Sequence, residues 1–141
     1  MSQAQFLIDT SALVRVLGNA RVFAQWHRPI VAGLVAVCPI TELEFLYTAR
    51  SMADRERLLG LLRELFGWAV MPERSFERAA EIQESLTMAG AHRSAGPADL
   101  LTSAAAEAHG LVVLHYDADF ATIGTITGHP TRWVVEPGSA D

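Results

Sequence analysis

Phe6-Leu7-Ile8-Asp9-Thr10-Ser11-Ala12-Leu13 is the stretch on which the reading of this chain turns. Three apolar residues form a short buried strand that Asp9 closes. Thr10 and Ser11 then cap a helix that runs through Leu17 and stops at Gly18-Asn19. A strand that is apolar throughout, followed at once by a helix, is the repeating unit of a parallel sheet covered on both faces.

The same alternation continues outward. A second helical stretch spans 20–27, with Pro29 disturbing any continuation. Val35-Ala36-Val37-Cys38 is the second strand, and a helix with Thr41 as its N-cap follows Pro39. Leucines at 58, 61, 62 and 65 give helical spacing across 54–66. Trp68-Ala69-Val70-Met71 reads as the third strand, and Ser75 caps a helix over 76–88. Pro97 opens a helix that ends at His109-Gly110. Leu111-Val112-Val113-Leu114 is the fourth strand, followed by an Asp-rich turn, and Trp133-Val134-Val135 is the fifth. Periodicity leaves the order of the strands open. With no repeat and no linker, the 141 residues predict one domain over 1–141.

Composition excludes several chemistries. All 11 basic residues are arginine, so a P-loop lysine, a Schiff-base lysine and a lysine general base are ruled out. No glycine-rich Gly-x-Gly-x-x-Gly turn follows the first strand, which excludes a Rossmann nucleotide binder. A phosphoacceptor receiver domain needs an Asp ending the third strand and a Lys after the fifth, and neither is present. The longest apolar run, 30–38, is far below the roughly 20 residues of a membrane span. The opening residues lack a basic leader, and Cys38 stands alone. A cytoplasmic protein without membrane contact is expected.

Ligands of open α/β sheets bind beyond the carboxyl ends of the strands. Asp9 ends the first strand, Glu42 lies one turn beyond the second, and Asp117 and Asp119 follow the fourth. Asp99 sits in the first turn of the preceding helix. Each alone reads equally as a helix cap, a dipole partner or a turn residue. Together they would repel one another unless they held protons or cations. Hard oxygen ligands suit Mg²⁺ or Mn²⁺, ions that bind phosphate oxygens and activate water. The formal net charge is −5, and the remaining acids equal the arginines in number, so the excess charge maps onto these five positions.

The segments Asp9-Thr10-Ser11-Ala12-Leu13, Thr41-Glu42-Leu43, Asp99-Leu100-Leu101 and Asp117-Ala118-Asp119-Phe120, in this order, resemble a PIN domain. More closely, they are similar to the VapC-type toxin ribonucleases of toxin–antitoxin modules. The resemblance implies a three-layer α/β/α sandwich with a five-stranded, mainly parallel sheet. It also implies an endoribonuclease that uses one or two Mg²⁺ or Mn²⁺ ions. By position, Asp9, Glu42, Asp99 and Asp117 would hold metal, with Asp119 as an additional catalytic acid and Ser11 near the site. The family usually has Thr or Ser where this chain has His115, which would either tune the site or fill space at the strand end.

Metal-assisted hydrolysis of an RNA phosphodiester is therefore the expected reaction. A non-catalytic module of the same fold, binding RNA or protein, is the alternative. The resemblance further implies a protein antitoxin whose basic residue enters the acidic pocket. It also implies a homodimer formed through the early helices, where Leu13, Val16, Phe23 and Trp26 offer apolar surface. Substrate grip is expected from arginines, with Arg15, Arg21 and Arg28, or Arg50, Arg55 and Arg57, as candidate clusters.

Overall fold

In the computed structural model, which describes residues 3–141, five strands form one sheet in the order β3-β2-β1-β4-β5. The strands are β1 (Phe6–Ile8), β2 (Val35–Val37), β3 (Gly67–Trp68), β4 (Val112–His115) and β5 (Thr131–Trp133), and all four pairings are parallel. The helices are α1 (Thr10–Gly18), α2 (Ala20–Val31), α3 (Pro39–Leu46), α4 (Met52–Leu65), α5 (Ser75–Met88), α6 (Pro97–His109) and α7 (Ala118–Thr127).

The period of two along each strand sorts side chains into two cores. Ile8, Val35, Val37 and Leu114 point to one face and pack against α1, α2, α3 and α4, through residues such as Leu13, Val16, Trp26, Phe45 and Leu62. Leu7, Ala36 and Val113 point to the other face and meet α5, α6 and α7, through Ile82, Leu86, Ala105, Phe120 and Ile123. The result is the three-layer sandwich expected. Burial on both faces explains why β1, β2 and most of β4 are continuously apolar rather than alternating, whereas the edge strands β3 and β5 are more exposed.

Several boundaries differ from the sequence expectation for identifiable reasons. Helix α2 runs on to Val31 through Pro29, because a proline in the last turn forfeits one hydrogen bond near an end that frays anyway. Helix α3 begins at Pro39, with Cys38 in the N-cap position, so Thr41 is buried inside the first turn instead of capping it. Ser51 caps α4 by accepting the Asp54 N–H, and Ser75 opens α5 from within, donating to the Pro72 carbonyl at 2.5 Å.

Strand β3 is only Gly67–Trp68, and β5 begins at Thr131, two residues earlier than its apolar run. The segment after β4 is a helix, α7, and not merely an Asp-rich turn. Asp117 is its N-cap, Phe120 and Ile123 bury its inner face, and Gly128 ends it in the left-handed region (φ 77°). Helix α7 packs closely on the start of β5: a Cβ at Gly124 would meet His129 O and the Thr131 side chain at 3.1 Å.

The topology creates a crevice. From β1 the chain passes to α1 on one face, and from the neighbouring β4 it passes to α7 on the other. Such a switch point opens a gap beyond the strand ends, which is where ligands of open sheets bind. Asp9 and Asp117 stand at its two sides.

Candidate active site

Asp9 is held most firmly. It is the N-cap of α1, its carboxylate accepting the backbone N–H groups of Ser11 and Ala12, each at 3.2 Å. Its own N–H donates to Leu114 O of β4 at 3.0 Å. The Ser11 hydroxyl donates to Asp9 (2.8 Å to Oδ1) and accepts the Tyr116 N–H at 2.8 Å. Ser11 thus ties the exits of β1 and β4 together.

Asp99 occupies the third position of α6 and accepts the Gly96 N–H at 3.2 Å, the returning half of a capping box. Asp117 caps α7 by accepting the Asp119 N–H at 2.9 Å. The positive ends of three helices therefore face the crevice, each already engaged by a carboxylate.

Electrostatics link these groups. Burial is the main force on Asp9, lifting its carboxyl from 3.8 to about 7 against the lowering effect of its hydrogen bonds, and the charge of Asp99 adds to the rise. Asp99 is lifted to about 6, again chiefly by burial, with Asp117, Glu44 and Asp119 all contributing repulsion. Asp119 is raised as well, by partial burial and then by Asp117. Four of the five acids expected from sequence, Asp9, Asp99, Asp117 and Asp119, thus share one electrostatic field.

Glu42 lies differently. Its carboxylate accepts Arg63 Nη1 of α4 at 2.5 Å. The α3 acid whose charge reaches Asp99 is Glu44, which also accepts the Thr10 hydroxyl at 2.7 Å. Two residues on a helix point about 200° apart, so Glu42 and Glu44 face opposite ways. The acid-x-acid spacing alone does not say which of Glu42 and Glu44 turns toward the crevice, and an N-cap at Thr41 places the helix start three residues later than the observed N-cap, Cys38.

The donor set, carboxylate oxygens that keep protons up to near neutrality, fits a hard divalent cation that would replace those protons. The fit lies in charge and chemistry. Among the described residues no three His, Cys, Asp or Glu side chains already converge as a group able to hold an ion.

His115 is fully buried, its ring between Phe120 (centroids 5.6 Å) and Trp133 (4.9 Å). Its Nδ1 accepts the Asp117 N–H at 3.2 Å, and Nε2 has no partner. Burial pushes the imidazole down to about 4, so the neutral ring holds the Asp117 backbone as an acceptor and fills the strand end.

The arginines divide. Arg15 stacks on Tyr116, 4.6 Å from its ring centroid, and Arg21 Nη2 donates to Ser139 O at 2.7 Å. Arg57 pairs with Asp54 of its own helix, and Arg50 donates its backbone N–H to the same carboxylate. Of the apolar residues expected to form a dimer surface, Leu13, Val16 and Trp26 are core residues and are not available. Phe23 is partly buried against the same core.

A model of the PIN domain matches residues 6–126. The chain is 44% identical to Ribonuclease VapC21 of Mycobacterium tuberculosis, over 96% of this chain and 98% of that protein. It is 40% identical to Ribonuclease VapC51 of the same organism, over 97% and 98%. Among solved structures, the DNA-bound VapBC of Salmonella typhimurium matches with a TM-score of 0.74 at 19% identity, covering 94% of this chain and 99% of that one. VapBC2 of Rickettsia felis, bound to a promoter DNA fragment, matches at 0.75 and 12% identity, covering 91% and 97%. These structural likenesses concern the fold.

Proposed function

The chain belongs to the PIN-domain family, and from that premise we propose that it is a metal-dependent endoribonuclease, the toxin of a toxin–antitoxin pair. The observation that carries the reading is the shared field of Asp9 and Asp99 at the β1–β4 crevice, each carboxyl lifted by burial and by other acids. Isolated caps on exposed helices would show no such rise. The fold is read as one domain over 1–141, and among the described residues no helix is long and apolar enough to cross a membrane. A cytoplasmic site of action accords with an RNA substrate.

Asp9, Asp99 and Asp117 would hold the cation, with Glu44 as the α3 acid in place of the expected Glu42, and Asp119 at the outer margin. Mg²⁺ or Mn²⁺, one ion or two, would supply a lowered water pKa and neutralise phosphate charge. Ser11 keeps the Asp9 carboxylate from rotating. The neutral His115 fixes the Asp117 backbone through Nδ1.

The antitoxin is supported by neighbours solved as toxin–antitoxin complexes, including one from Klebsiella pneumoniae. Its basic residue would enter the acidic crevice. A homodimer is also proposed, and the exposed Leu43 of α3 and Tyr47 at its C-cap, four residues apart, are apolar surface suited to it. Sedimentation of a Tyr47→Glu variant tests that contact.

The alternative, a non-catalytic binding module, draws on the lack of a ready three-ligand group among the described residues. One assay separates the two: cleavage of single-stranded RNA with Mg²⁺, with Mn²⁺ and with EDTA, by the wild type and by Asp9→Asn and Asp99→Asn. Metal-dependent cleavage lost in both variants supports the enzyme; binding without cleavage in any metal supports the module.

A further inference from the structure

After β5 the chain folds back over the first two helices. The Val134 N–H donates to His115 O at 2.7 Å, and the Trp26 indole N–H donates to Val134 O at 2.8 Å. A turn follows in which the Ser139 N–H and hydroxyl both donate to Glu136 O. Arg21 of α2 then donates Nη2 to Ser139 O at 2.7 Å, and Arg15 of α1 donates Nε to Ala140 O at 3.3 Å.

The segment 139–141 converges on one side chain. The Tyr116 hydroxyl accepts the Ala140 N–H at 2.9 Å and donates to Asp141 Oδ1 at 2.7 Å. The Tyr116 ring lies against the Arg15 guanidinium, 4.6 Å from its centroid, and meets Trp133 edge-on at 5.7 Å. Arg15 in turn donates Nη1 to Ser11 O at 3.4 Å. Ring and hydroxyl are thus both restrained, from α1, from β5 and from the segment beyond it.

The backbone of the same residue belongs to the site. Tyr116 directly precedes Asp117, and its N–H donates to the Ser11 hydroxyl that holds the Asp9 carboxylate. Restraint on the Tyr116 side chain therefore acts on the peptide that joins the segments carrying two of the acids. Apolar burial is not what 136–141 contributes: Ala140 is partly buried and the other five residues are exposed. Its contribution is directional, one donor and one acceptor placed on a single hydroxyl.

We propose that Tyr116 is a positioning residue for the acids of the crevice, and that residues 139–141 with Arg15 form the strap that holds it. The proposal rests on the metal-dependent nuclease reading and adds a support that lies outside the acids themselves. Ligand geometry tolerates errors of only about half an ångström, so groups that never touch the metal still govern how well it is held. An exposed strap of few apolar contacts opens more readily than the core, so its release loosens the crevice without unfolding the domain.

The test uses Tyr116→Phe, which keeps the ring and removes both hydroxyl bonds, beside Asp141→Ala and Asp141→Asn, all in the full chain. Mn²⁺ affinity is read by titration calorimetry without RNA. Cleavage of a labelled single-stranded RNA gives kcat and KM, and amide nitrogen relaxation reports the mobility of residues 139–141. Tyr116→Phe should mobilise the strap, weaken Mn²⁺ roughly three- to tenfold and lower kcat by a similar factor, with KM within about twofold. Asp141→Asn, which keeps an acceptor, should lose less than Asp141→Ala. Asp141 is exposed, so its variants report even where Tyr116→Phe perturbs folding. A wild type that binds Mn²⁺ and cleaves RNA, beside a Tyr116→Phe variant of equal affinity and equal kcat, overturns the strap and leaves the nuclease reading standing. A lower melting temperature with affinity and kcat unchanged also overturns it, in favour of a purely stabilising segment. A change confined to KM overturns it as well, in favour of substrate contact. A wild type that binds no Mn²⁺ and cleaves no RNA in any metal removes the underlying reading.

Discussion

The hydroxyl of Ser11 accepts the backbone N–H of Tyr116 at 2.8 Å, joining the end of β4 to the first turn of α1. The same hydroxyl donates to the Asp9 carboxylate. Removing it in Ser11→Ala leaves the Tyr116 N–H unpaired and frees Asp9 to turn. A stability loss of about 1–3 kcal/mol is expected by urea denaturation, together with a clear fall in RNA cleavage. Ser11→Thr, which keeps the hydroxyl, should lose less of both.

Asp9 makes stability depend on pH. Its folded pKa of about 7 lies above the unperturbed 3.8, so between those values the native state holds a proton the unfolded chain has released. Stability contributed by this group is full below the lower value and is lost as pH rises through the upper one. Asp9→Asn carries no such slope and keeps the cap, since Asn is as good at that position. In EDTA, the stability of Asp9→Asn relative to wild type should therefore grow from pH 4 to pH 7, toward a limit of about 4 kcal/mol. Saturating Mn²⁺ should shrink the gap, and a difference flat with pH in EDTA would count against the buried, proton-holding carboxyl.

Glu42 and Glu44 are distinguished by the same two substitutions. Glu44→Gln removes a charge felt at Asp99 and should lower cleavage roughly 10–100-fold. Glu42→Gln breaks the ion pair with the half-exposed Arg63, at a stability cost below about 1 kcal/mol, and should have the smaller effect on cleavage. The reverse order of activities would return Glu42 to the site.

His115 should behave as a core residue. Its pKa near 4 keeps it neutral, and an imidazole C–H resonance that does not titrate between pH 5 and pH 8 is the expected NMR signature. His115→Ala should cost about 2–4 kcal/mol through the cavity left between Phe120 and Trp133. His115→Leu fills most of that space but leaves the Asp117 N–H without its acceptor, so it should cost less than His115→Ala, about 1–3 kcal/mol.

The parts of this fold that depend on burial were legible in the sequence. Strands apolar on both faces announce a covered parallel sheet, and four acids at strand ends or first helical turns announced the crevice. What failed depended on tertiary context. Leu13, Val16 and Trp26 look alike as core or contact surface until the sheet they cover is known. Helix α7 escaped because threonine and glycine weaken its local signal, while packing of Phe120 and Ile123 sustains it. Which of Glu42 and Glu44 looks inward depends on where α3 begins, and its N-cap is Cys38 where the sequence suggests Thr41. Asp9, Asp99 and Asp117 each accept backbone N–H groups at the start of a helix, and that capping role leaves room for the ligand role proposed for them.

Gly124 sets a limit that helix propensity would not reveal. Alanine is the better helix former by about 1 kcal/mol, yet its methyl group would press on the His129 carbonyl and on Thr131. Relief would have to come from the chain at 129–131, which leads directly into the edge strand bearing Arg132. At this position, the substitution that favours the local element displaces a border of the molecule, so the outer margin of the sheet is gauged by a missing side chain on a neighbouring helix.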